Sequence, residues 1–141
     1  MTTTWISEDG EPVSKKISFF GWVLLFSRGS AIIFIIVFGL LLKFLLRVFE
    51  KPLFGDRRPV SPQITVMVSK ISLWLLSIPV IRFGAPLKQP GAFVANHSSW
   101  LDIFALNSGQ SLYFVSKSEV ASWPGIGLLA NATGTVFIRR E

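Results

Sequence analysis

The longest apolar run in the chain, residues 19–49, reads FFGWVLLFSRGSAIIFIIVFGLLLKFLLRVF. Its charge-free core, from Gly29 to Leu42, spans about 21 Å as a helix, against about 30 Å of hydrocarbon. Extending the helix to Phe49 closes that gap if Lys43 and Arg47 snorkel to the interface. A spanning helix over residues 30–49 is one arrangement; an embedded or re-entrant hairpin is the other, because Arg28 interrupts the run. A buried helix of a soluble core fits poorly, since nothing else in the chain could cover it. Lys15 and Lys16 before the run resemble a signal peptide, but no small-residue cleavage site follows, so an uncleaved anchor fits better.

The polar pattern divides the rest. Residues 1–18 are polar and read as an N-terminal tail. Residues 50–62, EKPLFGDRRPVSP, hold three prolines, a glycine and a cluster of charge, and read as a linker at the membrane surface. Residues 63–78 show helical periodicity. Ile64, Val68, Ile71 and Leu75 share one face, while Gln63, Lys70 and Ser77 recur on another. VIRFG and GAFVANH then predict two short strands around the turn GAPLKQPG. SWLDIFAL predicts a helix, SLYFVSK a strand, EVASWPGIGLLANA a broken helix, and GTVFIRR a final strand. This alternation predicts an α/β fold, a partial sheet layered with helices behind the membrane segment.

Charge and composition narrow the partners. The 141 residues are 50% apolar and carry a net charge of +6. An anionic partner is implied, nucleic acid or a phospholipid surface. The basic residues flank apolar runs and form no aromatic-interleaved stripe, so the membrane is favoured and nucleic acid is not expected. Lys43, Arg47, Lys51, Arg57 and Arg58 outnumber Lys15, Lys16 and Arg28, which places the C-terminal part in the cytoplasm. There is no cysteine and one histidine, which excludes a disulfide framework and argues against a metal site.

The candidate chemistry lies in FVANHSSWLD, residues 93–102, around that single histidine, His97. Two readings stand side by side. In one, Ser99 and Asp102 form a capping box at the start of an apolar helix, and His97 merely ends a strand. In the other, His97 stands at the C-terminal end of a strand, where α/β sites form, and the helix turns Asp102 back to the imidazole. A carboxylate on one ring nitrogen fixes the tautomer and raises the basicity of the other, which can then deprotonate a hydroxyl. Other motifs carry less. GIGLLA (125–130) follows Pro124 rather than a strand and is no dinucleotide loop. Asn96 and Asn131 stand in glycosylation patterns that a cytoplasmic face would leave unused. Ser98 and Ser99 lack a G-x-S-x-G elbow.

Asn-His-x-x-x-x-Asp after a short apolar strand resembles the signature of the glycerolipid acyltransferase family, which includes the 1-acyl-glycerol-3-phosphate acyltransferases. YFVSKSEVASWPGIG (113–127) resembles that family's segment with a lysine, an acidic residue and Pro-x-x-Gly, here Lys117, Glu119, Pro124 and Gly127. GTVFIRR (134–140) resembles its second block, Gly-x-x-Phe-Ile-x-Arg, which contributes Gly134, Phe137 and Arg140. The resemblance implies acyl transfer from acyl-CoA or acyl-carrier protein to 1-acyl-glycerol-3-phosphate, giving phosphatidate. In that scheme His97 is the general base, Asp102 orients it, Arg140 holds the substrate phosphate, and Lys117 is a candidate for the anionic headgroup. No cofactor is expected beyond the acyl thioester co-substrate, and a bacterial inner membrane is the expected location. A lyso-ornithine lipid acceptor and an inactive, membrane-anchored lipid-binding fragment are the alternatives. The family's later blocks, one built around Glu-Gly-Thr-Arg, lie downstream, whereas this chain stops at Glu141. Residues 63–141 are therefore expected to be the N-terminal part of an acyltransferase domain, from a truncated or split chain.

Overall fold

A computed structural model describes residues 16–84 and 91–139 of the chain. The apolar run forms one helix, α1, over Phe19–Phe54. Ser18 caps it, its hydroxyl accepting the Gly21 amide at 3.2 Å. At the other end Gly55 takes φ 62°, which a residue without Cβ adopts freely, and its amide bonds the Lys51 carbonyl at 3.0 Å. Arg28 does not break the helix, so of the two arrangements considered for residues 19–49 the continuous helix forms and the hairpin does not. The side chain stays in register and donates to the Ser77 hydroxyl at 3.1 Å. Nor is the whole of 50–62 a linker: α1 runs through Pro52, and only residues 55–60 separate it from α2, Ser61–Leu75.

The hairpin that does form is α1 against α2, antiparallel. Ser61 reaches Glu50, Thr65 reaches Lys43, Val68 lies on Gly39, and Ser77 lies beside Arg28. Among the described residues the buried apolar side chains are Ile32 on α1 and Val66 and Leu73 on α2. Gly39 permits the close approach, because a Cβ there would overlap the Val68 Cγ2 methyl. Val60 offers no side-chain cap to α2, and α1 supplies one instead. The buried Glu50 carboxylate accepts the Val60 and Ser61 amides at 2.7 and 2.8 Å. Lys43 donates to Thr65 Oγ1 at 2.8 Å. These bonds satisfy polar groups between two apolar helices, as a lipid setting requires.

The outer face of α1 is bare and apolar: Phe19, Phe20, Phe34 and Phe38 are all exposed. The helix is long and apolar enough to cross a membrane. Because α2 lies along its second half, α2 shares whatever depth that half reaches. A helix spanning at 30–49 would therefore carry α2 with it.

The remaining elements are short and rest on this hairpin. Helix α3, Leu101–Asn107, packs on α2. Strand β1, Val115–Lys117, leads through a 3-10 turn, Ser118–Ser122, into α4, Ile126–Thr133, and strand β2, Val136–Ile138. β1 and β2 pair in parallel, with Val115 opposite Val136 and Lys117 opposite Ile138. Helix α4 touches α1. The α/β character is thus present in a parallel pair joined by a helical crossover. The two strands expected at 80–84 and 91–97 are not strands. A strand exists only with a neighbour to bond, and among the described residues none lies beside either segment; Val94 is fully exposed. The expected turn between them, residues 84–91, lies outside the described residues except at its two ends.

Candidate functional site

His97 ends an extended, unpaired segment, and the chain then bends through Ser98 and Ser99 into α3. The bend places Asp102 in the helix's first turn, facing back along the chain. Asp102 Oδ2 accepts the Ser98 amide at 3.0 Å, the Ser99 amide at 2.9 Å, and stands 3.1 Å from His97 Nδ1. One oxygen therefore gathers three donors, two from the backbone and one from the ring. The Ser99 amide contributes most to holding the Asp102 carboxyl below its ordinary value. The His97 and Ser98 bonds add to it, and partial burial opposes them.

The capping-box geometry is only half present. Asp102 bonds the Ser99 amide, as the box requires, but Ser99 Oγ accepts the Leu101 amide at 3.2 Å, while the Asp102 amide bonds the Ser99 carbonyl. Trp100, not Ser99, is the boundary residue of the helix. The carboxylate thus serves the turn and the imidazole together. An ionised carboxylate only accepts, so Nδ1 is the ring nitrogen that donates to it, and in the neutral ring the lone pair lies on Nε2. The His97 side chain is 54% exposed, and so open to a substrate, whereas Asp102 is 32% exposed. Among the described residues this is the only ion-pair contact.

The other sequence candidates lie on the β1–α4–β2 unit. Lys117 is exposed at the C-terminal end of β1. Gly134 closes α4 at φ 81°, ψ 28°, with its amide on Asn131 O and the Thr135 amide on Ala130 O, a left-handed cap suited to glycine. Phe137 is half-buried in β2 opposite Ser116. Arg140 lies outside the described residues; its neighbour Arg139 is exposed. Asn107 ties the two parts of the chain together. It is buried at the end of α3, and its Oδ1 accepts the Leu112 amide at 3.1 Å, which sets the path into β1.

Sequence reasoning missed two contributors. The Ser98 and Ser99 amides hold the carboxylate, and only the serine pair before an acidic residue hints at this. Arg58, read as one of several linker charges, turns inward instead. Its Nη1 stands 3.2 Å from where a Cβ on Gly134 would be, beside the Tyr113 ring.

Comparison with known proteins bears on the same segment. Residues 78–141 match the family model described as Acyltransferase. The chain is 46% identical over 137 residues to a lyso-ornithine lipid O-acyltransferase of Rhodobacter capsulatus, covering 97% of this chain and 49% of that protein. It is 51% identical over 57 residues to a lyso-ornithine lipid O-acyltransferase of Pseudomonas aeruginosa, covering 40% of this chain and 22% of the relative. It is 47% identical over 58 residues to a 1-acyl-sn-glycerol-3-phosphate acyltransferase of Neisseria gonorrhoeae, covering 40% and 23%. The chain spans about half the length of the Rhodobacter relative and about a quarter of the other two is matched. No solved structure matches. The Acyltransferase model over residues 78–141 and the similarity of almost the whole chain to the Rhodobacter relative support the glycerolipid acyltransferase family for this chain.

Proposed function

We propose that this chain carries the acid–base centre of an enzyme that moves a fatty acyl group from an acyl thioester to the free hydroxyl of a lyso-lipid. The observation that carries the reading is the contact between His97 Nδ1 and an Asp102 carboxylate already fixed by two backbone amides. Asp102 holds the imidazole in the Nδ1–H tautomer and stabilises the imidazolium that forms. His97 Nε2 takes the proton of the acceptor hydroxyl as its oxygen attacks the thioester carbonyl. The tetrahedral intermediate collapses, the C–S bond breaks, and the imidazolium returns the proton to the leaving thiolate. The step needs no cofactor; acyl-CoA or acyl-carrier protein is the donor.

The acceptor by resemblance is 1-acyl-glycerol-3-phosphate, with Arg140 on its phosphate and Lys117, Gly134 and Phe137 in the adjoining blocks. A lyso-ornithine lipid is the second reading. Similarity to the Rhodobacter relative supports it, running through the long apolar helix and covering 97% of the chain. The exposed apolar face of α1 would hold the enzyme in the membrane where both lipid substrates reside. The cations following the apolar run would keep the site on the cytoplasmic side of a bacterial inner membrane.

Acyl transfer from a labelled thioester tests the proposal, with both acceptors offered to the chain in membranes. The same assay is run on the chain extended by the remaining length of the Rhodobacter relative. Product that disappears in His97→Ala is the expected result. Equal product from His97→Ala, or none from either form with either acceptor, would leave the pair as a turn and helix cap only.

A further inference from the structure

A cavity of about 230 Å³ opens between the C-terminal part of α2, the segment that follows it, and the end of α3. Its walls are apolar, from Leu73, Trp74, Ile78 and Val80, and two cations, Lys70 and Arg82, line it with them. Arg82 is held in place. Its Nη2 donates to Ser108 Oγ at 2.8 Å. Ser108 also lines the cavity and is buried, and its hydroxyl is fixed in turn by donating to the Ala105 carbonyl at 2.7 Å. The guanidinium rests against Gly109, where a Cβ would stand 3.0 Å from Arg82 Cζ. That hydrogen bond uses one of the guanidinium's N–H groups and leaves the others. Among the described residues Arg82 makes no other hydrogen bond and Lys70 makes none, and neither has a carboxylate oxygen within 4.0 Å. Two cations with unused donors on the wall of one cavity favour an anion inside it.

The walls and the size identify the class of anion. Pockets for drug-sized ligands start at about 300 Å³, so this smaller one fits a headgroup rather than a nucleotide. Apolar walls beside two cations suit an amphiphile, whose oxyanion meets the cations while its methylenes cover the walls. The surroundings agree. Trp74 is exposed, and so are Ile81 and Phe83 on either side of Arg82. Basic and aromatic side chains together mark the headgroup level of a membrane. We infer that this cavity seats the oxyanion headgroup of an anionic lipid, with Arg82 and Lys70 on the oxyanion and Trp74 against the first methylenes. The inference goes beyond acyl transfer and does not rest on it. Ser108 follows the last residue of α3, and Asp102 lies in its first turn, about 9 Å away along the helix axis. A headgroup held here therefore anchors to the membrane surface the helix that carries Asp102. A bilayer phospholipid and a lyso-lipid both offer this oxyanion.

Binding, rather than turnover, tests the inference. The full chain in neutral detergent micelles is titrated with short-chain phosphatidylglycerol, with 1-acyl-glycerol-3-phosphate, with short-chain phosphatidylcholine and with inorganic phosphate. Arg82→Ala should weaken binding of at least one of the two anionic lipids by about tenfold. A loss confined to one of them names the source of the headgroup. Arg82→Lys should recover part of the affinity, and phosphatidylcholine binding should not change. Trp74→Ala should weaken the same lipid. Arg57→Ala is the charge control, because it removes one exposed cation outside the cavity and should leave every affinity as in the parent. Four outcomes would overturn the inference. Both anionic lipids bind Arg82→Ala as they bind the parent. Arg57→Ala loses as much as Arg82→Ala, which marks net charge alone. Phosphatidylcholine binding falls equally, which marks a structural role. Inorganic phosphate binds as tightly as the lipids, which marks a site for free anions. His97→Ala should bind all four ligands like the parent, so loss of its turnover bears on the histidine alone.

Discussion

Gly134→Ala tests how the β1–α4–β2 unit is built, because two separable costs meet at that position. The backbone stands at φ 81°, ψ 28°, where an L-residue with a Cβ loses about 1–2 kcal/mol. The added methyl would lie 2.8 Å from Tyr113 Cδ1 and Cε1. The ring must withdraw by about 1 Å to reach an ordinary contact. Overpacking costs about 1–3 kcal/mol, and the exposed Tyr113 ring can swing outward, which places this case near the lower end. The sum is about 2–3 kcal/mol of local stability. Native-state hydrogen exchange at Val136, Phe137 and Ile138 in detergent micelles reads it directly. Tyr113→Ala in the same chain should return about 1 kcal/mol, leaving the backbone cost. Gly134→Asn should lose less than Gly134→Ala, since asparagine tolerates the left-handed region but keeps the Cβ. A Gly134→Ala chain within about 0.5 kcal/mol of the parent would refute the backbone argument. Additive effects of Gly134→Ala and Tyr113→Ala would refute the steric one.

Other outcomes follow from the same geometry. Asp102 is held below the ordinary aspartate value, about 3.9, by amide bonds and the imidazole. Its depressed value means that its contribution to the turn is complete above the ordinary value and is lost as pH falls through the folded one. The Ser98 and Ser99 amide resonances should therefore titrate with a midpoint below 3.9. They should not titrate with this midpoint in Asp102→Asn, and a midpoint at or above the ordinary value would contradict the bonding described. Gly127 is buried, and a Cβ there would overlap the Ala121 carbonyl. Gly127→Ala should destabilise the 3-10 turn and α4 by about 2 kcal/mol, measured by thermal unfolding, because backbone cannot swing aside as a side chain can. Gly39→Ala should push α2 from α1 through Val68, and Val68→Ala in the same chain should restore cross-linking between cysteines placed on the two helices. An unchanged cross-linking yield in Gly39→Ala would show that the helices do not approach as closely as described.

Local features were legible in the chain, and distant pairings were not. The apolar run from Phe19 determines a helix whatever surrounds it, and the periodicity of Ile64, Val68 and Ile71 determines a second. The meeting of His97 and Asp102 is also local. Five residues, a bend and the first turn of a helix bring them together, so their spacing suffices to suggest it. The order β1, helical crossover, β2 could be read from VSK, GIGLLANA and VFI. What only the tertiary structure decided depends on partners distant in sequence. Residues 80–84 and 91–97 have strand composition but no neighbouring strand among the described residues, and strand propensity expresses itself only through pairing. Glu50 became a helix cap because α2 folds back along α1 to within 2.8 Å of it. Arg58 and Arg57 are chemically identical neighbours, yet one faces water and the other faces Gly134. The loop bonds made by Arg47 set that difference, and nothing in a pair of adjacent arginines encodes it.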